Sequence, residues 1–221
     1  MSNINKDITA ALSVNFDAAE QQAIINAINL SLYDAPSSKA GLQHMGLYLP
    51  GGWYSLARAA RSAYSTASGA AGRLDLAPYV PGKELIITDF SINVLVAAAG
   101  QDVQFLVYDG TGPSGFPGNL VFQSGDASLD STGLTQVTAN NLTLEQGQLY
   151  WIGLQYSGGG TVSAHTNVDM ISLGSVPDGS GDYVCVRRAG TFNAPPSNFN
   201  FTSADLAAVT AFPAVRFKLQ A

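Results

Sequence analysis

Two residue types on which enzymes commonly depend are almost missing from this chain. It has one cysteine, Cys185, and two histidines, His44 and His165, in unlike contexts. A single cysteine excludes an internal disulfide framework and any cysteine-rich zinc site. Its place in Tyr-Val-Cys-Val points to a small buried hydrophobe rather than a nucleophile. Charge is scarce too: only 12% of residues carry one, about half the usual share. Ten basic against 16 acidic residues leave a net charge of −6, so the electrostatic footprint of a nucleic-acid binder is absent. No apolar run approaches the length that spans a membrane, so no membrane insertion is expected. Residues 1–7 lack the positive-then-apolar pattern of a signal peptide, and the expectation is a soluble chain made in a cytosol.

What is present is apolar and small. Hydrophobic residues make up 46% of the 221, aromatics 10%, and there are 23 glycines. That bounds the chain to one large all-β domain, or an ordinary domain with an appendage. A sparsely charged, neutral-polar surface suits a protein held in an assembly.

Residues 1–50 read differently from the rest. Asp17-Ala-Ala-Glu20 has the form of a helix N-cap with a carboxylate three residues on. Behind it Ala19, Ala23, Ile24, Ala27, Ile28 and Leu32 form a thin stripe at helical spacing, over about 17–32. A lone helix of that length is marginal in water. Ile24, Ile28 and Leu32 are therefore the expected assembly positions of an anchoring or oligomerising segment. The stripe lacks the basic face of a membrane-surface helix.

From residue 51 onward the period changes from helical to two. Trp53, Leu56 and Tyr64 mark a first strand, and Leu74 and Leu76 the end of a second. After Pro81-Gly82, Leu85 and Ile87 share one parity; Phe90, Ile92, Val94 and Val96 share the other. The change at Thr88-Asp89 predicts a β-bulge. Val103, Phe105 and Val107 alternate with Gln104, Leu106 and Tyr108. Short strands follow at Leu120–Phe122 and 137–144. At 149–156, Tyr150, Ile152, Leu154 and Tyr156 face inward, leaving Trp151 and Gln155 on the other side. Runs at 161–166, 168–173, 183–188 and 214–219 complete eight to ten strands. The last has Val215, Phe217 and Leu219 inside and Arg216 and Lys218 outside. Short strands with turn residues between them predict an all-β fold over 51–221, an antiparallel β-sandwich or jelly roll, preceded by a short N-terminal α-helical segment.

The wording of these strands carries a resemblance. Leu-Ala-Pro-Tyr-Val-Pro-Gly (76–82), Phe-Ser-Ile-Asn-Val (90–94), Phe-Leu-Val-Tyr-Asp (105–109), Pro-Gly-Asn-Leu-Val-Phe-Gln-Ser-Gly (117–125) and Leu-Glu-Gln-Gly-Gln-Leu-Tyr-Trp-Ile (144–152) resemble a jelly-roll module of tailed-bacteriophage proteins. That module occurs in tail fibres, baseplate appendages and other minor structural proteins. The match covers about 70–175 well, its flanks loosely and 1–50 hardly at all. It implies a virion structural protein that contacts itself, as a homotrimer, and other virion proteins. Recognition of a host-surface glycan is a further implied role. The alternatives are a carbohydrate-binding module, or a capsid decoration or head-fibre protein of the same fold. The motifs concern the fold, so no binding residues carry over.

Candidate sites therefore rest on residue chemistry alone. Sugar binding needs exposed flat aromatics with amide and carboxylate partners. Tyr108, Phe116, Trp151 and Tyr156, with Trp53, are the aromatics to consider. The stronger expectation for Trp151 is burial against the N-terminal segment or another subunit, and Phe116 sits in a Gly/Pro loop suited to partner contact. Asp126, Asp130, Asp178 and Asp182 lie in two loops with Asp-x-x-x-Asp spacing, which allows calcium, although aspartates also start turns. Arg187-Arg188 reads as one buried-stem and one exposed strand residue, with contact to an anionic glycan as the minority reading. Ser163, His165 and Asp169 are close in sequence, but a triad must converge in space. Glu20, Glu84 and Glu145 offer no facing pair for glycoside hydrolysis. An enzyme is not the expectation.

Overall fold

The computed structural model describes residues 51–56, 65–167, 170–175 and 181–221. The chain divides into two units, Met1–Leu42 and Gln43–Ala221, and all of the described residues belong to the second. The expected helix with Ile24, Ile28 and Leu32 lies outside the described residues, as do His44, Tyr64, Asp169 and Asp178.

Sixteen strands form among the described residues. The first eight are β1 (Trp53–Ser55), β2 (Ser65–Ser68), β3 (Arg73–Tyr79), β4 (Leu85–Val96), β5 (Asp102–Asp109), β6 (Leu120–Gln123), β7 (Ala127–Ser128) and β8 (Gly133–Leu144). Then come β9 (Tyr150–Tyr156), β10 (Thr161–Thr166), β11 (Gly174–Ser175), β12 (Asp182–Tyr183), β13 (Cys185–Ala189), β14 (Leu206–Ala207), β15 (Ala211–Pro213) and β16 (Arg216–Leu219). Leu74 and Leu76 open a strand rather than close one, because the chain reverses at Gly69–Gly72 before them.

Two seven-stranded sheets result, with a separate small β11–β12 ladder beside them. The first runs β1-β16-β4-β10-β15, with β8 on β4 and β2 on β10. The second runs β14-β13-β3-β9-β5-β6, with β7 on β5. Every pairing is antiparallel. Successive strands β3, β4 and β5 alternate between sheets. Later strands return beside them in reverse, β9 on β5, β10 on β4 and β13 on β3. That nested return is the winding of a jelly-roll sandwich.

The core fills from both sheets as the alternation requires. Phe90 of β4 stacks on Phe105 of β5 at 5.5 Å, and Tyr79 of β3 meets Phe217 of β16 edge-on at 5.3 Å. Tyr150, Ile152, Leu154 and Tyr156 all point into this core, with Val215, Phe217 and Leu219. The parity change in β4 is also present. Leu85, Ile87, Phe90, Ile92 and Val94 are buried, whereas Val96 at the strand end is exposed.

Its cause is more elaborate than a single bulge. Against β16, Asp89 pairs Lys218 and Ile87 pairs Leu219, so Thr88 is the extra residue. Against β8, Ile87 pairs Leu142 and Asp89 pairs Thr138, so three β8 residues face Thr88. Two of them, Asn140 and Asn141, take φ of 50° and 59°, a left-handed conformation that asparagine tolerates.

Candidate functional site

The second sheet is buried on both faces, and that decides the fate of the aromatic candidates. Its outer face carries Leu74, Leu76, Leu106, Tyr108, Trp151 and Val186, with Leu120 of β6 beside them, and Phe116, Leu149, Phe199 and Phe201 pack over them. Most of the cover comes from two stretches of the same chain, the loop after β5 and the segment between β13 and β14, and Leu149 adds to it from the turn before β9.

The first cover is locked by Asp109. Its Oδ1 accepts from the Thr111 and Asn119 amides at 3.1 and 2.8 Å and from the Thr111 hydroxyl at 2.6 Å. Its Oδ2 accepts from Asn119 Nδ2 at 3.1 Å. Burial alone would raise this carboxyl; the Thr111 and Asn119 donors outweigh it and hold it below the usual range. The loop thus folded brings Phe116 over Trp151, ring centroids 5.5 Å apart, and the Trp151 indole donates to Gly115 O at 2.9 Å.

The second cover is held by Arg188. Its Nε donates to Asp205 Oδ1 at 2.8 Å and its Nη2 to Asn200 O at 3.1 Å, while Nη1 donates to Phe199 O. The guanidinium lies 4.0 Å over the Phe199 ring. Phe201 from this segment stacks on Phe116 at 3.7 Å, and Tyr108 donates its hydroxyl to Pro196 O at 2.9 Å. The two covers therefore hold each other.

These contacts correct the sugar-platform expectation. Tyr108, Trp151 and Tyr156 are at most 2% exposed, Tyr108 and Trp151 under the loops and Tyr156 in the main core. Phe116 has Phe201 and Trp151 as its stacking partners. A ring face already stacked on protein offers no surface to a sugar. The cover over Trp151 comes from its own chain. Of the aromatics considered, Trp53 keeps a partly open face, at 39% exposure.

The calcium expectation also changes. Asp126 Oδ1 accepts from Gln104 Nε2 at 2.9 Å, and Asp130 Oδ1 caps the Gly100 amide. Asp182 is exposed at the start of β12, and Asp178 lies outside the described residues. Among the described residues no three His, Cys, Asp or Glu side chains come together as metal ligands. The Asp126 and Asp130 carboxylates are thus engaged by donors from a distant part of the chain, Gln104 and Gly100. Ser163 and His165 share a face of β10 and are both buried, and Asp169 lies outside the described residues. Burial, and then Asp75, push the Cys185 thiol up to about 12, so it stays protonated at neutral pH.

Two of the concave surfaces among the described residues carry charged or polar side chains in number. One, of about 420 Å³, is lined by Asp109, Thr111, Val121, Thr143, Glu145, Gln148 and Tyr150. Its Asp109 is engaged in the loop lock, and the Tyr150 hydroxyl accepts from the Glu145 amide at 3.1 Å. The other, of about 330 Å³, opens beside β2 and is lined by Arg73 and Arg187. There Asp75, fully buried on the core face of β3, receives Arg187 Nε at 2.6 Å and Nη2 at 3.3 Å. Arg73 Nε lies 3.0 Å from Asp75 Oδ2, an ionic contact poorly aligned for a hydrogen bond. Of this cluster only Arg187 stood out in the sequence, in its pair with Arg188; Arg73 and Asp75 did not. Asp75 lies between Leu74 and Leu76, so alternation set it on the face opposite theirs without showing that both faces are buried.

No protein-family model matches this chain, and no curated protein matches it. Among solved structures it is similar to the Clostridial cysteine protease Cwp84 after propeptide cleavage, at 9% identity and a TM-score of 0.45, over 76% of this chain and 40% of that one. It is also similar to the cysteine protease and lectin-like domains of Cwp84, a surface layer associated protein of Clostridium difficile. There the identity is 9% and the TM-score 0.36, over 67% of this chain and 32% of that one. The chain thus spans well under half of those structures' length, and likeness at this level says nothing of activity.

Proposed function

We propose that this chain is a virion structural protein of a tailed bacteriophage, belonging to the tail or fibre apparatus. In this reading residues 1–50 anchor or oligomerise, as a homotrimer, and the sandwich is displayed for contacts with other virion proteins. One observation supports it above others. The words shared with the phage module contain Tyr108, Asp109, Asn119 and Trp151, which lock and seal the outer face of the second sheet. A chain sharing them shares that sealed plate, whose use is to be held and to hold. The same burial moves any glycan recognition away from the aromatics and toward the open grooves.

Removing residues 1–50 is the test. The expected result is a folded sandwich that no longer enters particles. Normal incorporation of the truncated chain would overturn the anchoring role, and a parent chain absent from particles would overturn the reading itself.

A further inference from the structure

Arginine is in excess at the mouth of the second groove. Asp75 needs one guanidinium to satisfy both of its oxygens, and Arg187 supplies it in bidentate fashion. Arg73 adds a second positive charge against the same carboxylate. Its guanidinium lies 5.0 Å over the Tyr156 ring, and its Nη2 donates to Ser68 O at 2.5 Å. The remaining lining is Thr66, Ala67, Ser68, Ala208, Val209, Thr210 and Ala211, with no further carboxylate. One net positive charge therefore stands at a partly exposed opening, on a chain whose net charge is −6. A surplus cation in a concave, hydroxyl-rimmed site is matched by a single negative charge.

The rest of the lining narrows the ligand. Thr66, Ser68 and Thr210 line the groove with the two arginines, and Ala208, Val209 and Ala211 add small apolar residues to it. Hydroxyl groups beside apolar patches suit a pyranose ring, which has polar edges and C–H faces. We propose that this groove binds the carboxylate of an acidic sugar residue, with Arg73 and Arg187 holding the charge and the threonine and serine hydroxyls meeting the ring. A phosphate dianion would bring a second charge that nothing in the lining offsets. This assignment names a substrate class for the glycan-recognition role and does not depend on virion membership.

The test is a calorimetric titration of the full chain at low salt with glucuronate, glucose and inorganic phosphate. Glucuronate is expected to bind at least about tenfold more tightly than either of the others, and to weaken as salt is added. Arg73→Gln should weaken it by about tenfold or more while the melting temperature stays near the parent's. Should Arg73→Gln fail to fold, Thr66→Val at the exposed rim leaves the charge cluster intact and should weaken glucuronate severalfold. Absence of glucuronate binding, equal binding of glucose, or phosphate as tight as glucuronate would each overturn the proposal. So would folded variants that bind as the parent does. Particle incorporation is untouched by this titration, so the two readings fail separately.

Discussion

The Trp151 indole is stacked, hydrogen-bonded to Gly115 and sealed by loops of its own chain. Trp151→Ala should therefore cost stability, about 3–5 kcal/mol, rather than change association. A melting temperature close to the parent's with an altered size-exclusion profile would contradict that. Leu154→Ala, in the main core, should cost about 2–5 kcal/mol in denaturant melts. At Asp205, burial would raise the carboxyl, but Arg188 and the Thr202 amide and hydroxyl hold it below its ordinary value. A depressed folded-state value gives stability that is present above the unfolded carboxylate range, near pH 4, and lost as pH falls through the folded value. Asp102, raised by burial and by Asp126 and Asp130, acts in the opposite sense. The difference between parent and Asp205→Asn isolates the effect: the gap in melting temperature should be wide at pH 6–7 and narrow toward pH 2–3. A constant gap would show that Asp205 acts through something other than its charge.

Among the elements, the loop from Gly110 to Gly118 depends on the few atoms of the Asp109 lock. A Cβ at Gly118 would lie 2.3 Å from Thr111 Oγ1 and 2.5 Å from Asp109 Oδ1, inside the lock itself. Gly118→Ala should therefore free the loop, with faster amide exchange across 110–119 and a red-shifted tryptophan emission; unchanged exchange would mean the lock is dispensable. The strands under this loop were legible because a half-buried or buried strand repeats every two residues, and β4, β5, β9 and β16 kept that period. The fate of Trp151 and Tyr108 was not legible. Their parity correctly put them on the outer face, but alternation is silent on what lies above a face. Loops such as 190–205 have no period to read. The Arg187–Asp75 and Arg188–Asp205 pairs were obscured too, since their members sit 112 and 17 residues apart in sequence.

On the scale of the whole molecule, the described sandwich joins an aromatic-rich core, a sealed outer plate and a small basic mouth. Low surface charge gives such a body little self-repulsion, which fits one held in place by neighbours. The native thiol reports on that body's integrity: Cys185 should resist iodoacetamide at pH 8 until denaturant is added, and rapid labelling without denaturant would mean the sandwich opens readily. The most direct check on the central claim is quantitative mass spectrometry of purified particles made by the genome encoding this chain. The account expects the chain there in fixed, multiple copies alongside the tail proteins. Its absence from particles, with the folded chain free in the lysate, would contradict the account.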